Sequence, residues 1–327
     1  MSEFETAVRT PLHIVSLSTL TPSQSAAARA LLPPAEDRAV LKYYFVRDAA
    51  MSLASHLLKH LAITELCRVP WPLSAVTREP NGKPCYSSSA SASAPRTPLA
   101  FNVSHQAGLV PLIACATADL DVGIDVVCVD ERPDTAAAIA ADGLFAWIDL
   151  HADVFAPAEL AHLKHDVAHL ALAAPLPPAA RAAAARCQRP ADDAFALAPA
   201  VVHAKLRRFY ALWCLREAYV KMTGEALLAP WLRALEFRAF AVPAPAAAAA
   251  AAGPGAAELA WGETRTDFEI YFRGERVSGL GMEIRALGSG YMVASAVRRR
   301  DGGVGVPEFP GFEMVGLERI FGAAREG

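Results

Sequence analysis

Residues 209–224 read FYALWCLREAYVKMTG. At 100° per residue Leu206, Tyr210, Trp213 and Glu217 fall within about 60° of one another on a helical wheel. The pattern predicts a helix over about 203–222, stopped at Gly224, where glycine can take the left-handed cap. It also sets Glu217 in line with large apolar side chains, which directs a carboxylate toward the core. An ionised carboxylate buried alone costs several kcal/mol, against the roughly 5 to 15 that stabilise a whole domain. Lys221, one turn further on, offers an ordinary helical Glu/Lys pair worth a few tenths of a kcal/mol. Other parts of the chain offer Glu217 a stronger partner.

Working outward, residues 36–62 (EDRAVLKYYFVRDAAMSLASHLLKHLA) predict a second long helix, with Leu41, Phe45, Met51, Leu53, Leu57, Leu58 and Leu61 on its apolar face. Short strands are predicted at 99–104, 109–116, 122–129, 233–240, 267–273 and 291–298. Each half of the chain thus has one long helix followed by short strands. This predicts an α+β fold of two similar halves, 1–128 and 129–300, with a tail over 301–327. Three biased segments read as insertions: a Ser/Ala/Pro stretch at 87–98, an Ala/Pro/Arg stretch at 174–200 and an alanine tract at 243–255.

With 327 residues, 54% of them hydrophobic, the chain can bury a sizeable core, and a net charge of -3 gives no electrostatic case for nucleic acid or an anionic membrane. The N-terminus has no basic region followed by an apolar one, so no signal peptide is predicted, and no apolar run is of the kind that spans a bilayer. Six dispersed cysteines (Cys67, Cys85, Cys115, Cys128, Cys187, Cys214) without a CxxC pair suit a reducing cytoplasm.

The chemistry gathers at a few places. VGIDVVCV, residues 122–129, holds a single carboxylate, Asp125, in an otherwise apolar strand. Asp125 reads either as a hydrogen-bonded structural aspartate or as a ligand to a hard cation; sharing one Mg2+ with Glu217 would relieve both charges at once. FNVSHQAG, residues 101–108, places Ser104 and His105 on opposite sides of a strand, which excludes a Ser/His nucleophilic dyad between them. TREPNGKP, residues 77–84, is a turn flanked by Arg78 and Lys83, and Arg47 lies in the helix predicted over 36–62; these basic groups suit either solvent or phosphates. There is no GxxxxGK[ST] loop, and GLGMEI at 279–284 lacks the third glycine of a dinucleotide fingerprint.

Taken in order, NGKP, FNVSHQAG, VGIDVV and WCLREAYVK resemble the motifs of the large, Sfp-type 4'-phosphopantetheinyl transferases, particularly the fungal and animal branch. The resemblance runs from about residue 10 to 300. It implies a monomer of two pseudo-twofold-related α+β halves with the active site between them. The implied reaction moves 4'-phosphopantetheine from coenzyme A to a serine of an apo acyl or peptidyl carrier domain, releasing 3',5'-ADP with Mg2+, or Mn2+, as cofactor. The carriers this implies are those of fatty acid synthase, polyketide synthase, nonribosomal peptide synthetase and aminoadipate reductase. By the resemblance Asp125 and Glu217 are metal ligands, and Arg47, Arg78, Lys83, Asn102, Ser104 and His105 contact coenzyme A. Lys221 touches the diphosphate and steadies the leaving group, and Glu217 takes the proton from the carrier serine. Two positions depart from the pattern. Val127 stands where bacterial relatives often have a second acid, which makes Gln106, following the Ser-His pair, the candidate third ligand. Arg216 stands where the family usually has lysine, and is placed at the flank of the cleft. A metal-dependent hydrolase of nucleotide diphosphates and a non-catalytic coenzyme A binding module remain as alternatives built on the same residues.

Overall fold

The computed structural model describes residues 12–16, 20–78, 82–86, 99–116, 119–131, 133–166, 199–225, 229–247, 259–301, 303, 305 and 308–326. The first sheet has strand order β13-β1-β5-β4-β3-β2: β1 Leu12–Ser16, β2 Thr77–Arg78, β3 Pro84–Tyr86, β4 Leu99–Val103, β5 Leu109–Cys115 and β13 Phe312–Met314. Its pairings are antiparallel except that of β1 with β13. The second sheet has order β6-β12-β11-β8, all antiparallel: β6 Leu120–Cys128, β8 Trp261–Arg265, β11 Leu280–Leu287 and β12 Tyr291–Arg299. A small third sheet joins β7 Leu235–Arg238, β9 Glu269–Phe272 and β10 Glu275–Arg276. The α+β class read from the sequence is the class observed.

One long helix covers an outer face of each large sheet. Helix α3 (Val46–Cys67), after α1 (Pro22–Arg29) and α2 (Pro34–Val40), buries Leu53, Leu57, Leu58 and Leu61 against Phe101, Val110, Leu112 and Ala114. Helices α4 (Pro133–Asp142), α5 (Leu144–Asp149) and α6 (Pro157–His165) precede α7 (Pro199–Thr223), which packs on Met282, Ile284, Met292, Ala294 and Ala296. The inner faces meet in a third core of Leu109, Ile113, Val122, Ile124, Val126, Val293 and Val297. Alternation along a strand explains the arrangement: Val122, Ile124 and Val126 face the other sheet, which turns Gly123, Asp125 and Val127 toward α7.

Several expectations are corrected. The single helix over 36–62 is two, because the run Tyr43-Tyr44-Phe45 is made of weak helix formers and falls in the break between Val40 and Val46. Arg47 consequently sits in the first turn of α3. Strand β6, read as the end of the first half, pairs with β12 and belongs to the second sheet. The tail returns to the first half, where β13 pairs with β1 and helix α8 (Leu317–Glu326) adds Ile320 to the core under α3. Residues 87–98 lie outside the described residues, as do most of 174–200 and 243–255. The alanine tract begins inside the fold, however: Ala244 N–H donates to the Glu263 carboxylate at 2.9 Å and its carbonyl accepts from Glu263 N–H at 2.8 Å.

Candidate active site

Gly123 sets the spacing of the site. A Cβ there would lie 2.1 Å from the carbonyl oxygen of Ala218 and 2.5 Å from the amide of Met222, so only glycine lets α7 approach β6 this closely. Asp125, two residues along the same face of β6, then meets the last turns of α7. Lys221 Nζ donates to Asp125 Oδ1 at 2.6 Å and to Ser104 Oγ at 2.9 Å, and the Ser104 hydroxyl donates to the same carboxylate oxygen at 2.7 Å. Asp125 and Ser104 are buried, while the Lys221 side chain is 28% exposed. Ser104 therefore points at Asp125, as expected for a serine that forms no dyad with His105.

Glu217 stands one helical turn before Lys221. Desolvation, and then the charge of Asp125, push its carboxyl above the ordinary carboxylate value, with Lys221 pulling the other way. Burial would depress the Lys221 ammonium, but Asp125 and Glu217 outweigh it and leave the pKa raised. His105, at the rim, is held below its ordinary value by desolvation and by Lys221, against Asp48 and Asp125.

The wheel's reading of Glu217 is corrected. Helix α7 is buried on nearly every side, so it has no single core-facing stripe, and Leu206, Trp213, Glu217 and Lys221 form its half-exposed line, with Tyr210 buried beside them. Glu217 is half-exposed, so its partly desolvated carboxylate can meet a ligand.

The structure separates the other candidates into two sets. Lys83 is buried, and its Nζ donates to the carbonyls of Val122 and Met222, each at 3.0 Å. Asn102 is buried too, its Oδ1 accepting the N–H of Ile124 at 3.2 Å. Both satisfy main-chain groups along the outer edge of β6, which would otherwise go unmet in the interior. Arg78 is exposed and donates to the Gly82 carbonyl at 2.8 Å. Arg47, 64% exposed, lies 3.4 Å from Glu131 and 3.8 Å from Asp48. Arg47 also lines a cavity of about 1050 Å³ with Tyr43, Tyr44, Asp130 and Tyr291, which reaches the Ser-His-Gln turn at Ala107–Leu109.

Gln106 begins that turn: its N–H and carbonyl pair with Leu109, both at 3.0 Å. Val127 is core, buried under α7. Arg216 is not at the flank of the cleft; it is wholly buried, ion-paired with Glu159, donating to the carbonyls of Val154 and Leu235, and stacked on Phe155 and Phe237. Sequence reasoning missed Gly123 and Tyr291, and for Gly123 the signal was a glycine inside an apolar strand.

Comparison with known proteins settles which family has this arrangement. Residues 19–117 match the family model described as 4'-phosphopantetheinyl transferase, N-terminal, and residues 121–271 match that of the 4'-phosphopantetheinyl transferase superfamily. A 4'-phosphopantetheinyl transferase of Fusarium mangiferae is 38% identical over 90% of this chain and 86% of its own. The chain belongs to the 4'-phosphopantetheinyl transferase family. One from Aureobasidium melanogenum is 36% identical over 88% of each chain, and the human L-aminoadipate-semialdehyde dehydrogenase-phosphopantetheinyl transferase is 31% identical over 31% of each. The two family models part between residues 117 and 121, where the chain passes from the first sheet to the second. Phosphopantetheinyl transferases are enzymes that modify carrier proteins, so the acceptor hydroxyl arrives with the partner, and this site needs no nucleophile of its own.

Proposed function

We propose that this phosphopantetheinyl transferase takes 4'-phosphopantetheine from coenzyme A and transfers it to a serine of an apo carrier domain at the Ser104–Asp125–Lys221 cluster, with Glu217 as the base. The observation that carries the reading is the convergence of a buried hydrogen-bonded triangle and a raised-pKa carboxylate at the seam of the two halves. The carrier's hydroxyl oxygen forms a bond to the β-phosphorus of coenzyme A, the bridging P–O bond breaks, and 3',5'-ADP departs with the bond's electron pair. Glu217 accepts the hydroxyl proton; its raised pKa suits that task. Lys221, kept charged by Asp125, neutralises the departing phosphate. The cavity beside Arg47 has the size of a cofactor site and reaches the Ser-His-Gln turn, which makes Arg47 and His105 the groups to meet the donor's phosphates.

The donor set fits a hard dication. Asp125 raises the pKa of Glu217, a like-charge cost that Mg2+, or Mn2+, would remove, and Gln106 would add a neutral oxygen where Val127 cannot. When bound, the ion would supply positive charge to the diphosphate. A monomer is what the family resemblance implies. Among the described residues no helix is long and apolar enough to cross a membrane, and the five cysteines form no disulfide, which suits a cytoplasmic enzyme. The carriers we infer are those the motif resemblance implies, of fatty acid, polyketide and nonribosomal peptide synthesis; the partial match to transferases named for L-aminoadipate-semialdehyde dehydrogenase supports a carrier of aminoadipate reductase as well.

Intact mass of an apo carrier domain after incubation with coenzyme A and magnesium chloride tests the reading. A phosphopantetheine adduct with wild type and none with Glu217→Ala is expected. Release of 3',5'-ADP without any carrier would overturn it in favour of a hydrolase.

A further inference from the structure

The turn that follows Ser104 and His105 is strained. Gln106 and Leu109 pair through both main-chain bonds around Ala107 and Gly108, whose φ angles are +50° and +85°. Two central residues with positive φ make the tight hairpin turn normally built from Asn-Gly, and here an alanine takes the first position. A left-handed alanine is unfavourable and persists only where the surroundings enforce it. Two contacts do so. Met51 on α3 receives the Gly108 N–H at 3.4 Å from sulfur, and Tyr291, the first residue of β12, donates its hydroxyl to the Ala107 carbonyl at 2.8 Å. The tyrosine belongs to the second half and the turn to the first. Burial and the neighbouring Cys128 push the Tyr291 phenol up to about 12, so it stays a donor at every pH at which the enzyme would work.

We infer that Tyr291 is a positioning residue: its hydroxyl latches the Ala107 turn in its left-handed conformation across the two halves, and so fixes where Ser104, His105 and Gln106 stand relative to Asp125 and Lys221. The inference rests on the reading of that cluster as the donor site. It accounts for a polar tip at the start of β12, on the wall of the cavity that reaches the turn. The strain is useful because the turn closely follows Ser104, the residue after β4, whose hydroxyl is 2.7 Å from Asp125.

A rescue experiment tests it. Tyr291→Phe keeps the ring and removes only the latch; about tenfold lower kcat/KM for coenzyme A is expected, of the size of one left-handed residue's cost. Ala107→Gly removes the strain the latch opposes, so Tyr291→Phe/Ala107→Gly should recover most of that loss, while Ala107→Gly alone stays near wild type. Amide hydrogen exchange at Ala107–Leu109, measured without any substrate, should speed up in Tyr291→Phe. Unchanged exchange would refute the latch while leaving the donor-site reading intact. Faster exchange with unchanged coenzyme A kinetics would remove the turn from the donor site and with it the positioning role. A kinetic loss that Ala107→Gly does not restore would mean that the hydroxyl touches the donor itself, which also overturns the inference.

Discussion

Lys83 Nζ donates to the carbonyl oxygen of Met222 at 3.0 Å across 139 residues of chain, and the same ammonium reaches Val122 on β6. It thereby ties the strand bearing Asp125 to the helix bearing Glu217 and Lys221. The resemblance placed Lys83 on coenzyme A; its position makes it a brace in the free enzyme. Lys83→Met is expected to lower the unfolding free energy by about 1–3 kcal/mol, the cost of leaving buried carbonyls without a donor. Urea unfolding without coenzyme A checks this, since loss of a pure phosphate contact would leave the free enzyme's stability unchanged.

Gly123→Ala should be more damaging than its single methyl suggests. The new Cβ would sit 2.1 Å from a main-chain oxygen of α7, and neither the sheet nor the helix can yield cheaply. Overpacking of this kind costs about 1–3 kcal/mol or more. Relief by moving α7 outward would also separate Lys221 from Asp125, so transfer activity should fall even in the fraction that remains folded. Thermal unfolding together with carrier loading measures both; a folded variant of full activity would show that the close approach is dispensable.

Arg216 was read as a neighbour of the cleft and proves to be the centre of a buried network. Glu159 accepts from Arg216, from the Phe237 N–H at 2.9 Å and from the Ala156 N–H at 2.9 Å. Arg216→Leu strands that carboxylate and should cost about 3–5 kcal/mol, whereas Arg216→Leu/Glu159→Leu should recover part of the loss. Double-mutant unfolding gives the coupling. Carrier loading per folded molecule should stay near wild type, which separates structure from catalysis.

How much the sequence discloses follows from the kind of signal each residue leaves. Asp125 is legible because a carboxylate inside an apolar strand is locally expensive; Glu217 is singled out by the same argument, although it stands on the half-exposed line of α7 and not in the core. The α+β class and most central strands follow from hydrophobic period. Lys83 and Asn102 are not legible as braces, because their partners are main-chain groups on the edge of β6, and nothing nearby in sequence says which edge faces which side chain. Helices α4, α5 and α6 lack a strong apolar period, and β1 joins β13 from the opposite end of the chain. The all-round burial of α7 misleads a wheel, which assumes one buried face.

Glu283 gives a pH dependence whose sign is fixed by its surroundings. It lies opposite Ser295 in the β11–β12 register, 3% exposed, with its Oε1 and the Ser295 Oγ both lacking a hydrogen-bond partner among the described residues. Burial pushes its carboxyl up to about 6 from an ordinary 4.5, despite Arg285 nearby. A carboxyl that holds its proton more tightly when folded stabilises the fold below pH 4.5, and that contribution is lost as the pH rises through about 6. Above it, the buried charge costs about 2 kcal/mol. Glu283→Gln removes the titration, so the variant should gain up to about 2 kcal/mol over wild type at pH 8, and the gain should disappear near pH 4. Urea unfolding of both proteins at the two pH values measures the difference. Equal stabilities at both would show that Glu283 finds a partner that lifts its burial cost.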